Sequence, residues 1–369
     1  MELRFDGGRF VSHPGELNYK EVLSDFPNAK IIRILTYNIS KNQRQDALLD
    51  ALKNTSAAVQ IITNVPSRMP QYYNSEAGES MRNTARRNIQ TYISKLDPDK
   101  FPAGFEPFFN VRNHAKIIGT ENIVYIGSAN YSNESSDNIE TGVLIEDRVF
   151  IKQLYNEFFE AIKNKSLSYF DEGFSAFRLF VLSLYAKFDQ HHHRMISDLY
   201  TDYERTKLVV SDSIFMDISD LQNLYLDLDE LESVCGAADD TYDEENEEYN
   251  DALEELKRKF NSLSIDWLKS VISEDGSLYN LLAYNPEDTT NEILQEEYSA
   301  VAHDEDLDYY VQKAMDQSAE IYQTLHDEFS EEADDFLAEI EKILSALASA
   351  IAFTEKWKAS KINPDIDNT

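Results

Sequence analysis

A single cysteine, Cys235, is all the thiol that this chain of 369 residues contains. One thiol cannot close an internal disulfide, and no paired-cysteine zinc pattern exists, so the expectation is a reducing compartment. An apolar leader is missing as well. The N-terminus reads MELRFDGGRF, with acidic residues and glycines where a signal peptide carries its apolar core. The longest apolar-rich runs, residues 177–185 and 343–353, fall short of the ~20 residues needed to span a bilayer. The chain is therefore expected to be soluble and cytoplasmic, with no membrane span. No HExxH zinc pattern is present, and the run His191, His192, His193 reads as a helix surface rather than a metal site. No internal repeat and no long disordered stretch is found. With 42% apolar residues the chain can build proper cores, and its length suggests two domains at roughly 150 residues each.

What is abundant is negative charge, and it is unevenly placed. The net charge is −34. Residues 1–165 hold 20 basic and 20 acidic side chains, whereas residues 166–369 hold 14 and 48. A neutral half and a strongly acidic half imply two units with different partners.

The first half alternates strand-like and helix-like segments. Residues 30–40 (KIIRILTYNIS), 58–65, 108–118, 123–128 and 141–145 are rich in β-branched and aromatic residues and predict strands. Leu48, Leu49 and Leu52 mark a helix over 46–54, and Met81, Ile89, Tyr92 and Ile93 another over 79–96. A further helix is expected over 150–163. This alternation predicts an α/β domain over 1–165. The acidic remainder, 166–369, predicts a mostly α-helical domain with one short β-like run at 207–216. Residues 239–248 (DDTYDEENEE) read as a solvated loop or helix end. The last segment carries Ile321, Leu325, Phe329, Phe336, Ile340, Leu344, Leu347 and Ile351 at steps that make one amphipathic helix ending before Pro364.

Chemistry concentrates between Asn113 and Asp147. His114 and Lys116 lie two apart on a predicted strand, which puts both side chains on one face. Ser128 and Asn130 lie two apart at the end of the next strand, and Gly127 allows close approach by a neighbour or ligand. An imidazole, an ammonium, a hydroxyl and an amide aimed at one point suit a phosphate. Histidine near neutral pH can attack phosphorus or protonate a leaving oxygen. Glu140 can hold the opposite ring nitrogen, as the acid of a triad does. Tyr131 can stack on a base or fill the core.

His114, Lys116, Gly127, Ser128 and Asn130, in the runs HAK and GSAN, resemble the HKD motif of the phospholipase D superfamily. Glu140 resembles the downstream glutamate of its single-motif nucleases. Two departures stand out. Glu121 occupies the place of the family's aspartate, and the stretch to Gly127 is one residue short; a turn role for Glu121 is favoured. The strong motif covers about 35 residues, the strand and helix pattern extends it over 1–165, and the acidic half lies outside it. The resemblance implies a phospholipase D-like α/β domain and a phosphodiesterase (hydrolase), expected to be an endonuclease, acting through a phosphohistidine without metal or other cofactor. The catalytic residues implied are His114, Lys116, Ser128, Asn130 and Glu140. Family members use two motifs across a twofold axis. Here only His114 is followed by lysine two residues later, so the resemblance also implies a homodimer through the catalytic domain.

Nucleic acid is the first expected substrate, with Arg82, Arg86, Arg87 and Arg112 beside Lys116 as candidate phosphate contacts. Solvated helix charges explain those arginines equally well. Phospholipid is the alternative substrate, although no basic amphipathic helix supports it. A degenerate scaffold that binds phosphates or partners without turnover is the alternative class. The acidic half is expected to serve regulation, dimerisation or docking of a protein partner, and a role in defence is compatible with a regulated nuclease.

Overall fold

A computed structural model describes residues 1–39, 46–65, 85–131, 138–200, 216–298 and 307–357. These residues fall into two compact units, which divide at residues 183 and 184 and again at 350 and 351. The first unit is built on one mixed sheet. Its central strands are β3 (Ile31–Thr36) and β4 (Ala58–Thr63), which run parallel. Both are nearly continuous apolar runs, the pattern of strands covered on two faces. The connection between them carries helix α2 (Ala47–Lys53), whose Leu48, Leu49 and Leu52 are buried as the periodicity predicts. The Asp46 carboxylate accepts from the Leu49 amide at 3.1 Å and caps this helix.

Beyond these, β5 (Phe105–Phe109) runs parallel to β4. On the other side β6 (Ile117–Thr120), β7 (Val124–Gly127) and β8 (Gly142–Ile145) follow in antiparallel order, then β2 (Gly8–Val11) and β1 (Glu2–Phe5). A two-residue strand, β9 (Leu167–Ser168), closes the far edge against β5. Nine strands thus form one sheet among the described residues, in the order β1-β2-β8-β7-β6-β3-β4-β5-β9.

Each sheet face is covered. Helix α1 (Lys20–Asp25) sits on one, where Asp25 accepts from the Thr120 hydroxyl at 2.6 Å and the Asn122 amide at 3.1 Å. The other face buries Leu35, Ile62, Ile117 and Val124 against Ile151, Tyr155 and Phe159. Those last three come from the helical segment predicted over 150–163. It runs as α4 (Arg148–Gln153), a wider π turn over Leu154–Phe159, and α5 (Glu160–Lys163). Helix α3 (Ala85–Lys95) supplies the part of the 79–96 helix that is described, with Ile89 and Tyr92 buried; Met81 and Arg82 lie outside the described residues.

Two boundaries differ from the sequence pattern. The strand expected over 108–118 is broken, because Asn110 turns the chain: its side chain accepts from the Arg112 amide at 3.0 Å and its carbonyl from the Asn113 amide at 3.0 Å. β5 stops at Phe109 and β6 starts at Ile117. The structural division also lies further along the chain than the change in composition at 166. The pairing of β9 with β5, and the stacking of Phe174 on Phe109 at 5.4 Å, carry the first unit past that point. The Arg178–Glu355 ion pair at 3.3 Å belongs to it too.

The second unit is helical. Helix α6 (Ala176–Leu199) enters it at residue 184. It continues through α7 (Ile218–Glu232), α8 (Val234–Asp239), α9 (Glu247–Asn261), α10 (Ile265–Ile272), α11 (Ser277–Ala283) and α12 (Pro286–Ile293), then into α13 (Leu307–Lys356). The β-like run at 207–216 lies outside the described residues except for its last member. The charge block at 239–248 forms the turn between α8 and α9, as its composition suggested. Along α13 the predicted stripe buries Phe329, Phe336, Ile340 and Leu347, while Ile321 remains exposed. No helix of the described residues is long and apolar enough to cross a membrane.

The three consecutive histidines lie on α6 and take separate partners. His191 meets Asp227 at 2.8 Å, His192 meets Glu341 at 3.1 Å, and His193 meets the Asp189 carbonyl at 2.6 Å. One turn earlier, Lys187 donates to Asp227 at 2.8 Å and to Glu230 at 2.5 Å, all three side chains being largely buried. Burial pushes the Asp227 carboxyl up, but the Lys187 charge and the bonds from His191 and Lys187 outweigh it and hold Asp227 below its ordinary value. Replacing Lys187 with Met leaves two neighbouring buried carboxylates without their cation. It is expected to cost about 3–5 kcal/mol at neutral pH, read as a fall in the urea midpoint, with partial recovery on adding Glu230→Gln.

Candidate active site

The antiparallel register brings four strand ends to one edge of the sheet. Leu35 of β3 pairs with Ile117 of β6, Ile117 with Ile126 of β7, and Gly127 with Gly142 of β8. The residues just outside these pairs therefore gather there. His114 and Lys116 precede β6 in an extended segment, Ser128 and Asn130 follow β7, and Glu140 precedes β8. His114 and Ser128 are exposed, while Lys116, Asn130 and Glu140 are half-buried.

Contacts join His114, Lys116, Ser128 and Glu140. The Ser128 hydroxyl donates to the Glu140 carboxylate and accepts from the Thr141 amide at 3.0 Å. Lys116 donates to the His114 carbonyl at 3.1 Å. Burial pushes the Lys116 ammonium below its ordinary pKa, and the Glu140 charge opposes that shift. Burial, followed by the Lys116 charge, likewise holds the His114 imidazole below its ordinary value. Both effects favour a neutral ring at neutral pH, the form that attacks. Glu140 in this chain orients on Ser128 and acts on Lys116. Asn130 lies at the same edge, one residue before the bridge that joins Tyr131 to Ile39.

Three neighbours have structural roles. Glu121 lies at the opposite end of β6 from Lys116 and accepts from the Lys30 and Ile31 amides at 3.0 Å. It fastens the start of β3 and takes no part in this cluster. Gly127 makes room for a neighbouring side chain: a Cβ there would lie 2.3 Å from the Tyr125 hydroxyl, and one at Gly142 would lie 2.4 Å from the same ring. Tyr125 lies across both glycines and donates to the Thr141 carbonyl at 3.1 Å. Tyr131 is fully buried, edge-on to Tyr19 at 4.9 Å, and belongs to the core.

Other residues complete the site without any signal in sequence spacing. Asn113 is buried; its amide donates to the Thr36 carbonyl at 2.8 Å and its oxygen accepts from the Ala115 amide at 3.1 Å. Asn64 donates to the Val111 carbonyl at 3.0 Å and to the Asn113 carbonyl at 3.1 Å. The buried Asn18 holds the Glu140 carbonyl at 2.9 Å. Tyr37, at the end of β3, places its ring centroid 4.5 Å from that of His114. An asparagine is common in turns, so only the partner strand, 77 residues away in the case of Thr36, reveals Asn113 as a clamp.

Residues 27–162 match the model of the family described as cardiolipin synthase, PLD-like domain, where PLD stands for phospholipase D. No curated protein sequence matches the chain. Among solved structures the chain is similar to Nuc from Salmonella typhimurium, a phospholipase D family member. The identity is 19%, over 44% of this chain and 97% of that one, with a TM-score of 0.29. It is similar to NucT from Helicobacter pylori at 18% identity, over 44% and 98% of the two chains, with a TM-score of 0.31. It is also similar to phosphatidylserine synthase from Haemophilus influenzae at 15% identity, over 42% and 39%, with a TM-score of 0.28.

Replacing Asn113 with Ala strips the Thr36 carbonyl and the Ala115 amide of their partner. A loss of about 1–3 kcal/mol in unfolding free energy is expected, measured by urea denaturation. Asn113→Asp, which keeps the acceptor for Ala115 but loses the donor to Thr36, is expected to lose part of this or, through its added charge, as much.

Proposed function

We propose that the chain, whose residues 27–162 match the model of a PLD-like domain, is a phospholipase D superfamily member that hydrolyses phosphodiester bonds, and that nucleic acid is its substrate. The observation that carries this reading is the meeting of His114, Lys116, Ser128 and Glu140 at one edge of the sheet, from three separate chain segments.

In the proposed reaction Lys116 neutralises the anionic oxygens of the phosphate as a point charge. The neutral His114 ring attacks phosphorus, the bond to the leaving alcohol breaks, and a phosphohistidine forms. Covalent catalysis of this kind divides one difficult displacement into two easier ones. The leaving oxygen needs a proton from a second acid. Among all seven histidines of the chain, only His114 is followed by lysine two residues later. The second acid is therefore assigned to His114 of the partner subunit, across the twofold axis of a homodimer. Water then attacks the phosphohistidine, and the partner's His114 takes up the water proton. Ser128 fixes Glu140, which steadies Lys116 and is available to a histidine ring N–H. Asn130 is assigned to orienting the phosphate with its amide. The scheme takes its positive charge from Lys116 and from the protonated His114 of the partner subunit, and it calls for no divalent cation.

Nucleic acid is preferred because Arg112 is exposed in the segment just before His114, and phosphate chains bind through such groups. The excess of negative charge beyond residue 165 repels nucleic acid, so that half is assigned to a protein partner or to regulation rather than to substrate reading.

The test is incubation of the purified chain with single- and double-stranded DNA, RNA and phospholipid vesicles in EDTA. Cleavage of nucleic acid is expected, with a drop of about 10³-fold or more in His114→Ala. Cleavage of phospholipid alone would transfer the reading to lipid, and tight binding without turnover would make the domain a binding scaffold. Mixing wild-type with His114→Ala chains is expected to give heterodimers of sharply reduced turnover; full activity in an isolated monomer would exclude the shared site. Since burial and Lys116 depress the His114 pKa, the acid limb of kcat/KM should fall below the ordinary histidine value, rising with pH as the ring becomes neutral.

A further inference from the structure

We infer that Tyr37 is a positioning residue of this site, its ring clamping the His114 imidazole and the Lys116 ammonium in one mutual geometry. The inference rests on the phosphodiesterase reading for its catalytic consequence, and on geometry alone for the clamp itself. The Tyr37 and His114 rings lie 4.5 Å apart, centre to centre, at an interplanar angle of 57°. The Lys116 nitrogen stands 5.4 Å from the centre of the same Tyr37 ring, within the range where a ring quadrupole attracts a cation. One half-buried aromatic ring therefore contacts both of the groups assigned to attack and charge neutralisation.

The backbone holds this arrangement from both sides. Tyr37 directly follows Thr36, whose carbonyl accepts from Asn113, and the same Asn113 side chain accepts from the amide of Ala115, between His114 and Lys116. Lys116 closes the ring of contacts by donating to the His114 carbonyl. An exposed histidine and a lysine with four rotatable side-chain bonds would otherwise sample many rotamers, and ordering them during reaction is costly. The Tyr37 ring supplies that order beforehand.

The ring also covers part of the imidazole. Among the described residues, the charged and titratable groups that bear on His114 are Lys116 on its own segment and, acting on Lys116, Glu140 from the segment before β8. Burial outweighs the Lys116 charge among the causes that depress His114. Removing the ring readmits water, which favours the charged imidazole, so the His114 titration should move up.

The test uses the full chain with isotope-labelled histidine, followed by NMR without substrate, and separately the turnover of bis(4-nitrophenyl) phosphate. In the wild type, a nuclear Overhauser contact between the Tyr37 and His114 rings is expected. Tyr37→Leu should raise the His114 midpoint and lower kcat about 10- to 100-fold, with a smaller change in KM. Tyr37→Phe should match the wild type in both readouts. An unchanged His114 midpoint and kcat in Tyr37→Leu would overturn the clamp, as would a Tyr37→Phe variant as impaired as Tyr37→Leu. Should Tyr37→Leu fail to fold, absence of the wild-type ring contact overturns it and its presence together with a normal Tyr37→Phe supports it. A wild type without turnover of any phosphodiester sinks the enzymatic reading alone, since the titration and the ring contact still report on the clamp.

Discussion

The side chain of Asn113 is the constraint on which the candidate site depends. It bonds at once to the end of β3 and to the amide between His114 and Lys116. Buried amides of this kind are seldom left unmatched, because an unpaired polar group away from water is costly. Satisfying Asn113 therefore fixes where the segment before β6 runs. Asn64 repeats the device from the end of β4, bonding to the carbonyls of Val111 and Asn113. Two buried amides thereby hold in place a stretch of chain that belongs to no strand, and they leave His114 and Lys116 at its surface with a defined backbone beneath them.

Around that constraint the sheet supplies convergence. Antiparallel pairing of β3 with β6, β6 with β7 and β7 with β8 delivers four strand ends to the same edge. The Tyr125 ring, lying over two glycines, locks β7 to β8 there. Ser128 then reaches Glu140, and Asn18 holds the backbone of Glu140 from the N-terminal segment. Electrostatics follows from geometry: burial depresses the charged forms of Lys116 and His114, the Lys116 charge adds to the effect on His114, and the Glu140 carboxylate opposes the shift of Lys116. The helical unit works on a different principle. Its buried Lys187 is balanced by Asp227 and Glu230, and Asp227 in turn also bonds to His191.

Much of the fold was visible in the residue pattern. The parallel core strands, the leucine face of α2 and the stripe on α13 each rest on apolar spacing, which local geometry converts directly into a buried face. Hidden features were those in which one polar residue decides an outcome. Asn110 breaks a run that otherwise reads as a single strand, and Glu121 and Asp25 spend their charge on the backbone and hydroxyl of distant segments. The strand β9, just past the change in composition near residue 166, is too short to show a period.

By itself the sequence determined the α/β class of the first half, the helical class of the second, and the presence of His114, Lys116, Ser128, Asn130 and Glu140 within 27 residues of one another. It did so because strand and helix periods, and the spacing of reactive side chains, are local properties. Tertiary structure alone decided that Ser128 turns to Glu140, that Gly127 serves Tyr125, that Tyr131 is core, and that Tyr37 faces His114. Each of these is a contact between segments distant along the chain or a choice between two sides of one residue. Such choices are settled by what packs opposite, and nothing in local spacing records the opposite partner.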